Sequence, residues 1–176
     1  MRDNTIVVFW GDHGYQLGEK GKWSKAGSLW EHGANVPLIV HDPRAKGNGT
    51  ASSRIVQSID IYPTLVEAAG LPKVEGLDGL SLVPLLNDPK KTWEHPAYTV
   101  WNERNRGITG VVVRTERWRY AEFFGRGAGA MLTDPIADPH EVKNLVDDPK
   151  YASVVKELSA LVKKYSDGKT EPAATQ

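Results

Sequence analysis

The sequence predicts a mixed α/β fold in two parts, and three observations carry that reading. The run Thr5-Ile6-Val7-Val8-Phe9-Trp10 ends in a glycine-rich turn, and Val36-Pro37-Leu38-Ile39-Val40 repeats its character. Unbroken β-branched and aromatic runs of this kind read as strands buried on both faces, as in a parallel sheet. Four short β-rich runs follow at Tyr98–Asn102, Gly110–Thr115, Trp118–Phe123 and Ala130–Thr133. Their spacing and the turns between them predict an antiparallel meander. Finally, apolar residues at 154, 155, 158, 161, 162 and 165 keep a 3.6-residue period. An amphipathic helix over Tyr151–Tyr165 therefore covers one face of that meander. The expected division is an α/β part at 1–90, a small antiparallel α+β subdomain at 91–169 and a disordered tail at 170–176.

Between these elements the local signals are specific. Residues 11–35 hold six glycines and no sustained periodicity, which predicts a long loop, and tryptophans at 10, 23 and 30 favour an ordered one. Pro37 stands near the start of its strand, where a missing donor is tolerated. Residues 42–53 form a polar turn region. Ser58 or Asp60 can cap a helix running through about Ala69, with Pro63 in its first turn and Gly70 and Pro72 as its stop. A shorter helix is expected over Ser81–Leu86, and Asn87-Asp88-Pro89-Lys90-Lys91 is the expected subdomain boundary. Lys163 and Lys164 suit the C-terminal end of the last helix, which Gly168 follows.

Composition narrows the functions. With 176 residues the chain is long enough for a substantial core. The 22 basic and 22 acidic residues balance, which gives no electrostatic case for nucleic acid or an acidic membrane surface. The absence of cysteine removes disulfides, thiolate metal sites and thiol catalysis, and leaves the compartment open. No apolar run approaches membrane-spanning length, and the first residues carry no signal-peptide pattern. There is no internal repeat.

The chemistry concentrates just past the first strand, where open α/β sheets place ligand sites. Asp12 offers a hard carboxylate suited to calcium, His13 a ring nitrogen more natural to softer ions, and Lys25 a cation on the returning loop. That set can handle a metal and an anionic group. Equally, Asp12 can cap the turn while His13 satisfies loop carbonyls, and Lys20, Lys22 and Lys25 can all be solvated. Glu19 and Glu31 read as partners of Lys25 or His13, or as loop salt bridges. His32 and His41 are candidate acids, whereas His95 and His140 sit beside prolines in apparent turns.

Several motifs in order carry a resemblance. Residues 11–25 read G-D-H-G-Y-Q-L-G-E-K-G-K-W-S-K, residues 29–40 L-W-E-H-G-A-N-V-P-L-I-V, residues 58–65 S-I-D-I-Y-P-T-L and residues 77–86 L-D-G-L-S-L-V-P-L-L. Arg114-Thr115, Trp118-Arg119-Tyr120, Leu132-Thr133-Asp134, Asp138-Pro139 and Asn144-Leu145 continue the pattern. Together they resemble the second half of a type I sulfatase of the alkaline phosphatase superfamily. The Asp-His pair followed by L-G-E and W-x-K is most similar to iduronate-2-sulfatase and its bacterial relatives. The resemblance implies a partial sulfatase-like sheet and hydrolysis of a sulfate ester with a formylglycine nucleophile and one calcium ion. It further implies Asp12 and His13 as metal ligands, Lys25 as the catalytic sulfate contact, and Tyr15 as an aromatic facing the substrate pocket. The leaving-group acid would lie upstream, not at His32 or His41. The implied partner is a sulfated small molecule or sugar, which Trp101, Asn102, Arg104 and Arg106 could help to select. Family members are commonly periplasmic, secreted or lysosomal.

Two family features have no counterpart. The formylglycine pattern C/S-x-P/A-x-R is absent, as is a counterpart of the paired aspartates that the family carries after its first strand and that supply further calcium ligands. The expectation is a C-terminal sulfatase portion, with an upstream half as a possible partner. Other readings stay open: a phosphate or phosphonate ester hydrolase of the same superfamily, or a non-catalytic remnant or split-gene partner.

Overall fold

The computed structural model describes residues 2–25, 29–103, 108–125 and 127–169. The expected tail and the positions of Arg104 and Arg106 lie outside them. The second part of the chain is built as the alternation dictates. Strands β3 (Ala97–Glu103), β4 (Ile108–Arg114), β5 (Arg119–Gly125) and β6 (Gly129–Thr133) form an antiparallel meander in sequence order. Successive residues point to opposite faces, so the valines of β4 divide between two cores. Val111 and Val113 join Tyr120 and Leu132 on one face, where Leu158 and Val162 of the C-terminal helix α4 (Ala152–Lys169) pack on them. Each of those fully buried apolar side chains contributes roughly 1.5–3 kcal/mol. Tyr165, further along α4, stacks on Tyr98 of β3 at 4.4 Å between ring centres.

The opposite face carries Val112, Ala121 and Met131, and Leu29 from the long loop is its fourth buried member. Gly110 makes this possible. A Cβ there would lie 2.6 Å from Leu29 Cδ1 and 3.1 Å from the Phe123 ring. The meander thus has a helix on one side and the loop that follows the first strand on the other.

The first part contains β1 (Val7–Trp10) and β2 (Leu38–His41). Their expected parallel pairing is corrected: they pair antiparallel, Val7 opposite His41 and Trp10 opposite Leu38. A parallel neighbour needs a crossover, usually a helix, to return the chain to the strand's starting end. Here the connection stays at the C-terminal end of β1, where Gly11 N donates to Pro37 O at 3.1 Å. Its helix, α1 (Glu31–Ala34), is only four residues long. Burial on both faces is corrected as well, since Val7, Phe9, Trp10 and Ile39 are each about half exposed or more. The composition had called for cover, but within the described residues β1 has one neighbouring strand and little packing.

Helix α2 (Ile61–Ala68) begins after a 3₁₀ turn at Ser58–Asp60 and has Pro63 in its first turn; α3 (Val83–Asn87) follows. Asp60, almost wholly buried, ties this block together by accepting from Gln57 N and Leu80 N, both at 2.8 Å. Burial pushes its carboxyl above the ordinary aspartate range, and the two amides pull only partly back. Gln57 Oε1 in turn accepts from Tyr98 N at 2.8 Å, joining the α2 block to β3.

Two outcomes follow from this packing. Exposed, apolar β1 and β2 present edges open to other chains, so the purified chain is expected to self-associate as concentration rises, and Phe9→Lys or Ile39→Lys to reduce it. Sedimentation showing a monomer at all concentrations would contradict this. Replacing Asp60 by Ala strands two backbone donors, each costing about 1–3 kcal/mol when left unpaired. A thermal unfolding midpoint several degrees below the parent is expected.

Candidate functional site

Asp12 and His13 stand two and three residues past the end of β1, at the start of the long loop. The loop is ordered by its own backbone. Gln16 N donates to Ser24 O at 3.1 Å and Gly18 N to Lys22 O at 2.8 Å, so the returning limb runs back beside the outgoing one. Gln16 itself is fully buried. A further bond, Gly14 N to Gly33 O at 3.0 Å, pins the loop against α1. The approach is so close that a Cβ on residue 14 would sit 1.9 Å from His32 O. Only glycine allows that contact, and it sets where His13 stands.

Asp12, His13 and Lys25 line one cavity of about 630 Å³, closed on other sides by residues including Asn35, Gln57, Trp101 and Tyr165. His13 Nδ1 lies 2.9 Å from Gly14 O. A carbonyl only accepts, so Nδ1 carries the proton there. In the neutral ring this leaves a lone pair on Nε2, which faces Asp12 Oδ2 at 3.2 Å. Two lone-pair donors facing each other need a proton or a cation between them. The pair therefore fits a divalent ion as one side of its shell. It does not complete one: calcium takes six to eight oxygen ligands, and among the described residues no group of three or more His, Asp or Glu converges.

The structure separates the three lysines. Lys20 Nζ donates to His140 O at 2.8 Å and Glu141 O at 2.5 Å, and lies 4.3 Å from the Trp30 ring centre. Lys22 lies over Trp101 at 5.5 Å. Lys25 lines the cavity. Tyr15 does not join it: the ring is 55% exposed and forms no part of the cavity wall. Trp101 is on the wall, while Asn102, next to it, is exposed.

Neither glutamate turns to Lys25 or His13. Glu19 accepts from Leu17 N at 2.6 Å, and the amides of Glu19 and Leu17 hold its carboxyl below the usual range. Glu31 faces Arg119 and Arg114, and accepts from Asn35 Nδ2 at 3.0 Å. Burial pushes Glu31 up, but the two guanidinium groups outweigh it and leave the carboxyl below the ordinary range. His32 stacks on His140 at 6.2 Å, and His95 meets Trp93 edge-on at 5.0 Å.

Sequence reasoning missed Arg119 and Glu141, each only 2% exposed. One signal was available. Along β5, Arg119 shares a face with Ala121, and Ala121 packs with Leu29, so strand parity aims Arg119 at the loop.

A family model described as N-sulphoglucosamine sulphohydrolase, C-terminal, matches residues 18–167, a span that includes Lys25 and begins just after Asp12 and His13. An N-acetylglucosamine-6-O-sulfatase of Bacteroides thetaiotaomicron is 32% identical over 98% of the chain and 33% of its own length. A solved protein in complex with its substrate D-glucosamine-2-N,6-O-disulfate superposes with a TM-score of 0.87 at 30% identity, covering 99% of this chain and 37% of that one. The phosphonate monoester hydrolase of Agrobacterium radiobacter superposes at 0.80 with 27% identity, over 94% and 36% of the two chains. The chain thus spans about a third of the length of the relatives it matches, and it belongs to the sulfatase family of the alkaline phosphatase superfamily, in which it corresponds to the C-terminal portion.

Proposed function

We propose that this chain supplies the Asp–His and lysine side of a sulfate-ester hydrolase site. The observation that carries the reading is the shared cavity of Asp12, His13 and Lys25, three side chains drawn from both limbs of the loop. Asp12 and His13 Nε2 would hold the divalent ion, calcium by family. When bound, such an ion withdraws charge from the sulfate oxygens. Lys25 places an ammonium where charge develops on the departing and non-bridging oxygens, a contact whose loss costs roughly 3 kcal/mol in comparable oxyanion sites. Gly14, held against α1, keeps the His13 ring turned to Asp12. No residue here is assigned the covalent step, because the formylglycine motif has no counterpart in the sequence.

The relatives point to the substrate class. The sulfatase and the substrate complex described above both bear names of sulfated glucosamines. A sulfated amino sugar is accordingly the ligand class proposed for the cavity, with the Trp101 ring offering a face to the sugar. Likeness to a phosphonate monoester hydrolase supports a second reading. To a metal and a lysine, sulfate and phosphonate are both tetrahedral anions, and the nucleophile upstream decides between them.

Calcium and sulfate titrations followed by NMR test the site. Calcium is expected to shift the Asp12 and His13 resonances. Asp12→Asn, which removes a direct ligand, should weaken this by more than the 10–100-fold typical of losing an outer-shell partner. Lys25→Ala should retain calcium binding and lose sulfate binding. If neither ion perturbs the loop, the reading is wrong. The chain alone is expected to release no sulfate from an aryl sulfate; metal-dependent turnover by the pure chain would overturn the assignment of the nucleophile to another segment.

A further inference from the structure

Between the loop and the meander lies a buried charge cluster that the chemistry above does not use. One guanidinium, that of Arg119 in β5, reaches three groups. Its Nη1 donates to Leu29 O at 2.7 Å. Its Nη2 donates to Glu31 Oε2. Its Nε lies 3.1 Å from Glu141 Oε1, an ion-pair contact without the alignment of a hydrogen bond. Glu141 is satisfied from other sides too: Oε1 accepts from Thr133 Oγ1 at 2.8 Å, and Oε2 from Glu31 N at 2.7 Å. Arg114 adds a second cation, its Nε 3.2 Å from Glu31 Oε2. Two guanidinium groups therefore face two carboxylates, and the cluster is neutral.

One partner of Arg119 sits at the root of the loop that carries the cavity residues. Glu31 opens α1, whose Gly33 carbonyl holds Gly14 N beside His13. A displacement of α1 moves the Asp12–His13 limb through Gly14, and the bond from Gln16 N to Ser24 O carries it to the returning limb beside Lys25. Because a guanidinium is planar and its donors form a rigid fork, the spacing of its partners is set by covalent geometry. Glu141 holds its carboxylate in place with a backbone φ of 50°, a left-handed value uncommon for a non-glycine residue. Burial of Arg119, at 2% exposure, distinguishes this arrangement from a solvated surface pair.

We propose that Arg119 is a positioning residue that, through Glu31 and α1, fixes the limb bearing Asp12 and His13 and with it the returning limb beside Lys25. The inference rests on the sulfate-site reading for its functional consequence, but its structural half can be measured without any ligand.

Arg119→Lys keeps a buried cation and gives up the fork. In hydrogen-exchange mass spectrometry, residues 11–25 of this variant should lose protection by about tenfold, while the ladder between β4 and β5 stays at the parent level. In titrations, calcium binding, which uses one limb, should change little. Sulfate binding in the presence of calcium uses both limbs and should weaken by tenfold or more, as misplacement on the order of 1 Å does in other sites. A purely structural role predicts instead that protection falls together in the loop and the β4–β5 ladder, and that outcome overturns the proposal. Unchanged loop protection with unchanged sulfate affinity overturns it as well. Should Arg119→Lys fail to fold, Glu31→Gln decides by the same exchange readout, since it weakens the α1 arm while leaving a neutral acceptor for Arg119. If the parent chain binds neither calcium nor sulfate, the sulfate-site reading fails on its own, and loop protection still reports on Arg119.

Discussion

The contact between Arg119 of β5 and the pair Glu31 and Glu141 is the constraint on which the geometry of this chain turns, because it joins the loop after β1 to the packed meander. Charges taken from water incur a desolvation penalty of several kcal/mol each, recovered only when every partner is matched. Here the matching is close to complete: both carboxylates accept from guanidinium or backbone donors, and Asn35 and Thr133 take up remaining acceptor capacity. The same arithmetic explains why the contact resists partial change. Removing one partner leaves an unpaired buried charge, whereas the intact set is neutral. Register follows from this, since the loop can dock on the sheet in one place.

Apolar packing works at the same junction. Leu29 enters the face of Val112, Ala121 and Met131 beside the position where Gly110 omits a side chain. Gly14 does the equivalent at the other end, letting the loop backbone touch α1. Glycine at these two positions is therefore a matter of clearance. The opposite face of the meander, filled by α4, reaches the cavity through the stacked rings of Tyr98 and Tyr165.

This architecture explains how a chain spanning about a third of the length of its sulfatase relatives holds its long loop in an ordered position. The loop needs the meander to hold it, and both are present. The exposed β1 and β2 pair is the counterpart of that economy. Its apolar side chains have the composition of interior strands and find little to cover them within the described residues, so the surface that continues the α/β layer is also the one prone to association.

Local periodicity determined much of this by sequence alone. Four short β-rich runs spaced by turns gave the strands of the meander, a period of 3.6 gave α4, and Pro63 with Gly70 bracketed α2. These signals are legible because each element must bury its own side chains, whatever it packs against. The ordered loop at 11–25 was legible for a related reason: its glycines and nearby tryptophans mark a chain that turns yet packs, and Asp12, His13 and Lys25 line one cavity beside it. Strand direction was not legible, since interior parallel and antiparallel strands share a composition and only the path of residues 11–37 distinguishes them. Charge alone could not choose among Lys20, Lys22 and Lys25, and only the W-x-K resemblance pointed to Lys25, because three ammonium groups in six residues differ only in what the fold sets opposite them. Arg119 and Glu31 are 88 residues apart, and no local pattern links charges at that separation. Tertiary structure decided that pairing, because the energy of an ion pair depends on distance and burial, which exist only once the chain has folded.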